Sequence, residues 1–186
     1  MTVAEVSDLL YPLSLFCQNG GHPLPSYAAI DGADMPEPYR GLLVHHGDMT
    51  SRLAAYFGGD IVIEVLHCEH TVEAYRREVV LHIEGTGLPV EYGAIEIDLG
   101  AFDDELQRLI LEQHLPLGGL LNRFGMQYRS EPRGFIRLGP DAIMQKVFGM
   151  PDAEEFYGRC NVLLGEDGRT LARIVEVVRP VENLKS

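Results

Sequence analysis

Two segments that read as buried β-strands each carry one charged residue on their apolar side, and the two charges are opposite. Residues 75–83 contain Arg77, and residues 171–178 contain Glu176. Because side chains alternate between the two faces of an extended chain, both charges share a face with apolar neighbours and point inward. A charge removed from water is costly unless it is paired. These two side chains are therefore the first candidates for chemistry, as groups that hold a partner or a ligand.

A second interpretation of the same pattern needs no ligand. Arg77 and Glu176 could neutralise each other as a structural ion pair in the core, and networks of that kind also perturb ionisable groups. The two interpretations differ in whether a hollow separates the two side chains.

The run from His67 to His70, which reads His-Cys-Glu-His, contains metal-binding residue types but lacks the geometry of a metal site. On a strand, alternation sends His67 and Glu69 to one face and Cys68 and His70 to the other. The spacing matches no zinc motif. We therefore predict no metal site and no other cofactor.

The elements that must position Arg77 and Glu176 are mainly strands. Residues 61–66, 75–83 and 90–97 are β-rich and separated by turn residues, which predicts an antiparallel meander. Further strands are predicted at 126–128, with a continuation through 133–138 left open, at 161–164 and at 170–178. Helices are predicted at 51–57, 103–111 and 120–124. Runs of strands with helices between them are typical of a single α+β domain with a mainly antiparallel sheet, and 186 residues suit one domain.

The first forty residues follow a different pattern. Residues 3–16 predict a short amphipathic helix, and residues 18–40 are rich in glycine and proline, which favours a long surface loop or covering arm. We therefore predict an N-terminal helix and arm at 1–40 and the main domain at 41–182.

Composition and charge limit the partners. A net charge of -13 argues against nucleic acid or an anionic membrane as the main partner, since both require a basic surface. No apolar stretch is long enough to cross a bilayer, and the N-terminus has no secretory pattern. The three cysteines are odd in number and widely spaced, as expected of reduced thiols. We expect a cytoplasmic monomer or homodimer that binds a small molecule.

Several short pieces occur in one order along the chain: Leu42-Leu43, Met49-Thr50, Arg77-Glu78, Pro116-Leu117-Gly118, Tyr157-Gly158-Arg159 and Glu176. Together they resemble the chorismate pyruvate-lyase family over about residues 42 to 180. The resemblance implies one domain in which an antiparallel sheet of about six strands and helical flaps enclose an internal pocket. It also implies cleavage of chorismate, a dicarboxylate, to 4-hydroxybenzoate and pyruvate.

The resemblance assigns roles to individual residues. It implies a substrate-binding arginine at Arg77, a catalytic carboxyl group at Glu176, a flap methionine at Met49 and a backbone contact at Leu117. Arg77 is suited to hold a carboxylate by a bidentate fork, and Glu176 to deliver the proton that the leaving side chain needs. Gly118 lets the backbone approach an anionic oxygen closely. Arg133, on a predicted strand, is a further candidate for a second carboxylate.

The alternative function comes from a different class of protein. The same fold serves as the small-molecule-sensing domain of winged-helix transcription regulators, in which the pocket binds an effector without a reaction. The sequence shows no DNA-binding module, which favours the enzyme. Glu176 also favours it, because an anion binder gains nothing from a carboxylate that faces its ligand. The glycine-rich 18–40 segment and the long 140–156 connection depart from the family pattern, so a related substrate or a pure binding protein stays open.

Overall fold

The strands form one antiparallel sheet. The computed structural model describes residues 8–72 and 74–181, and in these ranges it contains seven strands. They are β1 (Tyr27–Ile30), β2 (Ile61–His70), β3 (Tyr75–Ile83), β4 (Pro89–Ile97), β5 (Tyr128–Leu138), β6 (Phe156–Gly165) and β7 (Thr170–Val178). Their order across the sheet is β1-β5-β6-β7-β4-β3-β2, and every neighbouring pair is antiparallel. The predicted α+β class with an antiparallel sheet is confirmed.

Six short α-helices cover the sheet within the described residues. They are α1 (Leu13–Asn19), α2 (Tyr39–Leu43), α3 (Met49–Phe57), α4 (Asp104–Leu111), α5 (Leu117–Arg123) and α6 (Ala142–Phe148). Helices α1 and α6 pack on one face of the sheet, whereas α2, α3, α4 and α5 pack on the other. Within the part of the chain that the structure describes, no helix is both long and apolar enough to cross a bilayer.

Two elements differ from the sequence prediction. Residues 27–30, predicted as part of a loop or arm, form the edge strand β1, which pairs with β5 and raises the strand count above the expected six. Residues 142–148 form α6, where only a long connection was expected. Asp141 caps this helix by accepting hydrogen bonds from the next turn, and Gly149 ends it in a left-handed conformation.

The N-terminal region contributes to the packing of the sheet. Residues 1–7, the start of the predicted 3–16 helix, lie outside the described residues, and the helix observed here is α1 at 13–19. Leu13 and Cys17 of α1 join the core cluster of the first face. The proposed division of the chain at residue 40 stays a prediction.

The second face of the sheet carries the candidate site. In register, Arg77 lies opposite Ile95, and Gly93 lies between Val79 and Glu176 on the neighbouring strands. Side chains in register share a face of the sheet. Arg77 and Glu176 therefore lie on the same face, as predicted from alternation in the sequence.

Gly93 allows β4 and β7 to pair directly beneath this face. A Cβ atom added to Gly93 would lie 2.0 Å from the carbonyl oxygen of Val175 on β7, well inside any real contact. The pairing of β4 with β7 thus depends on one glycine.

We predict that Gly93→Ala lowers the free energy of unfolding by about 3 kcal/mol or more, because the new methyl group forces β4 away from β7. Gly119→Ala is the matched control. Gly119 lies inside α5 and an added Cβ meets nothing within 4 Å, so alanine should stabilise the protein slightly. Urea denaturation of both variants measures this, and equal stabilities would contradict the packing argument.

Candidate functional site

Arg77 is buried without a counterion. Its side chain lies on β3 and the residue is 1% exposed. Neither Nε nor Nη1 has a hydrogen-bond partner among the described residues, and Nη2 donates a long bond, 3.4 Å, to the carbonyl oxygen of Leu115. The Tyr75 side chain lies close enough to act on the guanidinium, and it opposes the effect of burial on its pKa. No described carboxylate forms an ion pair with it. Burial lowers the pKa of the Arg77 guanidinium, but an arginine in a protein keeps its proton.

Arg77 borders a small cavity of about 60 Å³ on the second face of the sheet. Five of the six residues that the sequence predicted for the site line this cavity: Met49, Arg77, Leu117, Gly118 and Glu176. Residues from β3, β4 and β7 form its floor, and α3 and α5 form its cover. The structure therefore brings these five predicted residues together, although they are spread over more than 120 positions of the chain.

Local sequence signals place the covering helices. Helix α3 begins at Met49 because the side chain of Asp48 accepts a hydrogen bond from the backbone N–H of Ser51, at 2.8 Å. It ends at Gly58, which has a positive φ of 76°. Helix α5 begins at Leu117, directly after Pro116. The first turns of both helices border the cavity, so the positive end of the nine-residue α3 dipole faces it.

Glu176 pairs with Arg159, and not with Arg77. Arg159 lies opposite Glu176 in the register of β6 and β7, and its Nε donates to Glu176 Oε2 at 2.5 Å. Both side chains are buried. The Nη1 atom of Arg159 also donates to the carbonyl oxygens of Leu43 at 3.4 Å and His45 at 3.1 Å. The carboxylate that the sequence predicted as a free proton donor is therefore held in a structural ion pair.

Glu91 is a member of the site that the sequence prediction missed. It lies on β4, it is 5% exposed, and its Oε2 atom has no hydrogen-bond partner among the described residues. Burial raises the pKa of Glu91 well above its usual range; the nearby Glu176 carboxylate adds to this rise, and Arg159 opposes it. Alternation along β4 could have found it, because Glu91 shares the face of Gly93 and Ile95.

The charged side chains at this site are unequally paired. Arg159 and Glu176 neutralise each other in an ion pair, and burial disfavours a charge on Glu91. Arg77 remains as a cation without a described counterion. The local charge is opposite in sign to the net charge of the chain, -13. An anion is therefore the ligand type that this cavity can stabilise.

Arg133, the sixth predicted residue, is not brought to the cavity. Its side chain is 54% exposed and its Nη2 atom pairs with Glu131 at 3.1 Å. The register of β5 and β6 shifts between Pro132 and Gly134. This β-bulge turns Arg133 outward, since an extra residue in one strand redirects its side chain.

On the opposite face, His67 of the His67–His70 run takes part in protein contacts, whereas His70 packs against Tyr75 on the face of Arg77. His67 Nδ1 lies 2.6 Å from Glu78 Oε2. The other carboxylate oxygen, Glu78 Oε1, accepts a hydrogen bond from the hydroxyl group of Tyr92 at 2.6 Å. Across the described residues, no cluster of three or more His, Cys, Asp or Glu side chains could hold a metal ion.

The comparisons with known proteins identify the fold. No family model and no curated protein matches the sequence. PhnF from Mycobacterium smegmatis is similar in structure, with a TM-score of 0.56 and 14% sequence identity over 73% of this chain and 65% of PhnF. The effector domain of PhnF gives a TM-score of 0.54 and 14% identity over 72% of this chain and 88% of that domain. The chain thus spans about 65% of the length of PhnF.

A GntR-family transcriptional regulator from Bacillus cereus is also similar, with a TM-score of 0.47 and 12% identity over 64% of this chain and 92% of that one. At these low identities the similarity establishes the fold alone. That fold is the chorismate lyase-like fold, so the predicted resemblance is confirmed at the level of the fold.

The predicted chorismate pyruvate-lyase function is wrong. The similar structures with a TM-score above 0.5 are PhnF and its effector domain, and neither is a chorismate lyase. The site agrees with this correction. The predicted proton donor, Glu176, is engaged by Arg159.

We predict that Glu176→Gln lowers the free energy of unfolding by about 3 kcal/mol, because it leaves Arg159 buried without a full negative charge. Arg159→Met should cost a similar amount. The double variant should lose clearly less than the sum of the two, since each single change already breaks the pair. Urea denaturation of the four proteins gives the coupling energy, and simple additivity would contradict a structural ion pair.

We predict a pH-dependent loss of stability at His45. Burial and then the nearby Arg159 charge lower the pKa of His45 to about 4 from 6.5. Its neutral ring donates from Nε2 to the carbonyl oxygen of Leu42 and accepts from the N–H of Gly47. Because the pKa of His45 is lower in the folded protein than in the unfolded chain, protonation of His45 favours unfolding. The stability that His45 contributes is complete above pH 6.5 and is lost as the pH falls towards 4.

The expected loss is about 1–2 kcal/mol after allowance for the partial exposure of the ring. Urea denaturation at pH 7 and pH 4 should show it as a difference between the wild-type protein and His45→Asn, which cannot take up the proton. His46→Asn is the matched control, since this exposed neighbour should keep the full pH dependence. A pH response of His45→Asn equal to that of the wild type would contradict the assignment.

Proposed function

We propose that this protein binds a small organic anion in the 60 Å³ cavity and releases it unchanged, with Arg77 as its anchor. The observation that carries the proposal is the buried guanidinium of Arg77, two of whose nitrogens have no hydrogen-bond partner among the described residues. A carboxylate matches the planar fork of an arginine through two parallel hydrogen bonds. In this role the protein is a sensor of an organic acid.

Energetics favour a ligand over a structural role for Arg77. A buried charge without a partner destabilises the folded state by several kcal/mol, and an apolar side chain of similar size would avoid that cost. Buried polar groups are nearly always hydrogen-bonded, so a native exception calls for an explanation. An anion that occupies the cavity supplies one, since it would satisfy the free N–H groups of Arg77.

The neighbouring residue Arg76 shows what a structural arginine looks like in the same strand. Its side chain points to the opposite face, where Nε donates to Glu96 at 2.6 Å and Nη1 to Glu69 at 3.1 Å. It thus pairs with two carboxylates, whereas Arg77 pairs with none in the described residues. The contrast supports a binding role for Arg77.

The size of the cavity limits what can bind without movement. Ligand pockets in proteins usually exceed about 300 Å³, whereas this one measures about 60 Å³. Only an acid of a few heavy atoms fits beneath the cover as it stands. A larger acid requires α3 and α5 to move apart.

An open cleft beside these helices offers a route for such movement. It has a volume of about 780 Å³ and is lined by Asp48 at the start of α3, Asn122 in α5 and Tyr128 in β5. The hydroxyl group of Tyr128 and the side chain of Asp48 would both lie within 4 Å of a Cβ added to Gly118 in the cavity wall. The cleft and the cavity therefore share the α3 and α5 boundary.

The same two helices could report that the ligand is bound. The proposed ligand contacts the first turns of α3 and α5, so its binding would change how these helices pack on the sheet. A change of packing at a surface helix is a common way in which a binding event alters contacts with a partner. This agrees with the effector domain among the similar structures.

We predict that Arg77→Met abolishes binding of short carboxylates and, without ligand, raises the free energy of unfolding by about 1–3 kcal/mol, because methionine removes an unpaired buried charge. Isothermal titration calorimetry with sodium formate, acetate and butanoate measures binding, with sodium chloride at equal ionic strength as reference. The acid recovered after incubation with the wild-type protein should be chemically unchanged.

Arg76→Met is the matched control, since it removes a guanidinium from the next position in the strand. It should bind the same acids as the wild type but lose stability, because it leaves Glu96 and Glu69 without this partner. Equal binding by the Arg77→Met and wild-type proteins would contradict the proposed anchor. A large loss of stability in Arg77→Met would instead indicate a structural role.

A further inference from the structure

A second and larger cavity lies on the first face of the sheet, the face that α1 and α6 cover. It is a groove of about 990 Å³ between these two helices and the strands β2 and β3. Ligand pockets in proteins typically measure about 300–1,000 Å³. The groove is therefore large enough for an organic molecule without movement of the helices.

Apolar surface predominates in the wall of this groove. The apolar side chains that line it are Phe16 of α1, Leu66 of β2, Val80 of β3, and Ile143 and Val147 of α6. All of them except Val80 are only partly buried, so part of their surface faces solvent. A ligand with an apolar body would remove this surface from water, which favours binding.

The carboxylate of Glu78 lines the same groove. Glu78 follows Arg77 in β3, so strand alternation sends the two side chains to opposite faces of the sheet. Glu78 is 6% exposed. Its Oε1 atom accepts a hydrogen bond from Tyr92 at 2.6 Å, and its Oε2 atom lies 2.6 Å from Nδ1 of His67. A buried carboxylate thus borders a space that can hold a ligand.

Glu78 differs from its neighbour Glu96 in the kind of partner it has. Glu96 lies on the same face and pairs with two arginines, Arg76 at 2.6 Å and Arg173 at 2.9 Å. The ion-pair partner of Glu78 among the described residues is His67, an exposed histidine, which is a cation only when it is protonated. The carboxylate of Glu78 is therefore hydrogen-bonded, but no described arginine or lysine neutralises it.

The other charged residues of the groove favour a cation as its ligand. Three carboxylates line the groove, and they belong to Glu64, Glu69 and Glu78. Lys146 is the only lysine or arginine among the described residues that line it. Glu64 is exposed and Glu69 is partly buried, so water screens their charges more than that of Glu78. A positive group gains most beside Glu78.

We propose that this groove binds an organic ammonium ion with an apolar chain or ring, and that Glu78 holds its charge. The site is separate from the Arg77 cavity and does not depend on the function proposed for that cavity. A carboxylate has about four lone-pair sites, so Glu78 can accept from the N–H groups of the ligand in addition to Tyr92 and His67. The apolar part of the ligand packs against the apolar wall. Such charge-assisted hydrogen bonds are stronger than those of a neutral ligand.

Matched amines and alcohols of equal chain length test the proposal. The pairs are butylammonium with 1-butanol and hexylammonium with 1-hexanol, titrated calorimetrically at pH 7 and constant ionic strength. Hexylammonium should bind the wild-type protein about 10-fold more tightly than 1-hexanol, because only the ammonium ion neutralises Glu78. It should also bind about 10-fold more tightly than butylammonium, since two further CH₂ groups are buried.

Three variants connect the binding to Glu78. Glu78→Gln keeps an acceptor for Tyr92 but removes the charge, so the affinity for hexylammonium should fall to about that for 1-hexanol. Glu84→Gln is the matched control, because it removes a negative charge from an exposed position outside the groove. It should bind hexylammonium like the wild type. Arg77→Met should also keep hexylammonium binding, although it loses the carboxylates. A thermal melt of each variant checks that it is folded.

A second pair of variants tests the groove without altering Glu78. Ala142, at the start of α6, is exposed and lines the groove. Ala142→Arg and Ala142→Glu both add a long side chain, but with opposite charges. The arginine variant should therefore bind hexylammonium at least about 5-fold more weakly than the glutamate variant.

The results that would overturn the proposal are distinct from those that concern Arg77. Equal affinities of the wild-type protein for hexylammonium and 1-hexanol would exclude a role for the charge. An unchanged affinity for hexylammonium in Glu78→Gln, or equal affinities of the two Ala142 variants, would place the ammonium ion elsewhere. Loss of hexylammonium binding in folded Arg77→Met would contradict two separate sites. Failure of carboxylates to bind would affect only the function proposed for the Arg77 cavity.

Discussion

The account depends on one electrostatic constraint: a guanidinium buried on the inner face of a sheet must find negative charge. The described residues do not supply it to Arg77, although they supply two carboxylates to Arg76, the next residue in the same strand. The difference follows from strand alternation, which sends the two arginines to opposite faces. Selection for core stability alone would not retain a charged residue at the position of Arg77, because an apolar side chain there would make the folded protein more stable.

The other buried charges on this face leave Arg77 unbalanced. The ion pair between Arg159 and Glu176 neutralises itself and ties β6 to β7 and to the segment before α3 through Leu43 and His45. Burial disfavours a charge on Glu91. The cavity therefore contains one cation without a described counterion, as the proposed anion-binding role requires.

The sequence predicted those features of the fold and the site that depend on local residue patterns. Alternation placed Arg77 and Glu176 inward, the Asp48 and Gly58 signals placed α3, and the run of strands indicated an antiparallel α+β fold. The partner of Glu176 was not predictable in this way, because cross-strand register is set by tertiary structure. Arg159 lies outside the strand predicted at 161–164, so its face was unknown. Arg133 was a candidate for the site, but a bulge interrupts the alternation of β5 and its side chain does not reach the cavity.

Function was the least predictable property, since the same fold serves both enzymes and binding domains. The residues that resembled a lyase site do converge, but the chemistry changes once Arg159 occupies Glu176 and Glu91 stands in the same cavity. Glu91 lies at the start of its strand, where a shift of one residue reverses the face. Arg159 belongs to the resembling pieces, but its pairing with Glu176 does not follow from them, and Glu91 lies outside them.

Side-chain NMR of Arg77 tests the central claim most directly. The Nε–H resonance of Arg77, assigned by its loss in Arg77→Met, should shift saturably as sodium acetate or glycolate is added, and should not respond to sodium chloride at equal ionic strength. This is the behaviour of a free donor that gains an anion. A resonance that stays unchanged in the presence of every acid, while the protein remains folded, would contradict the account.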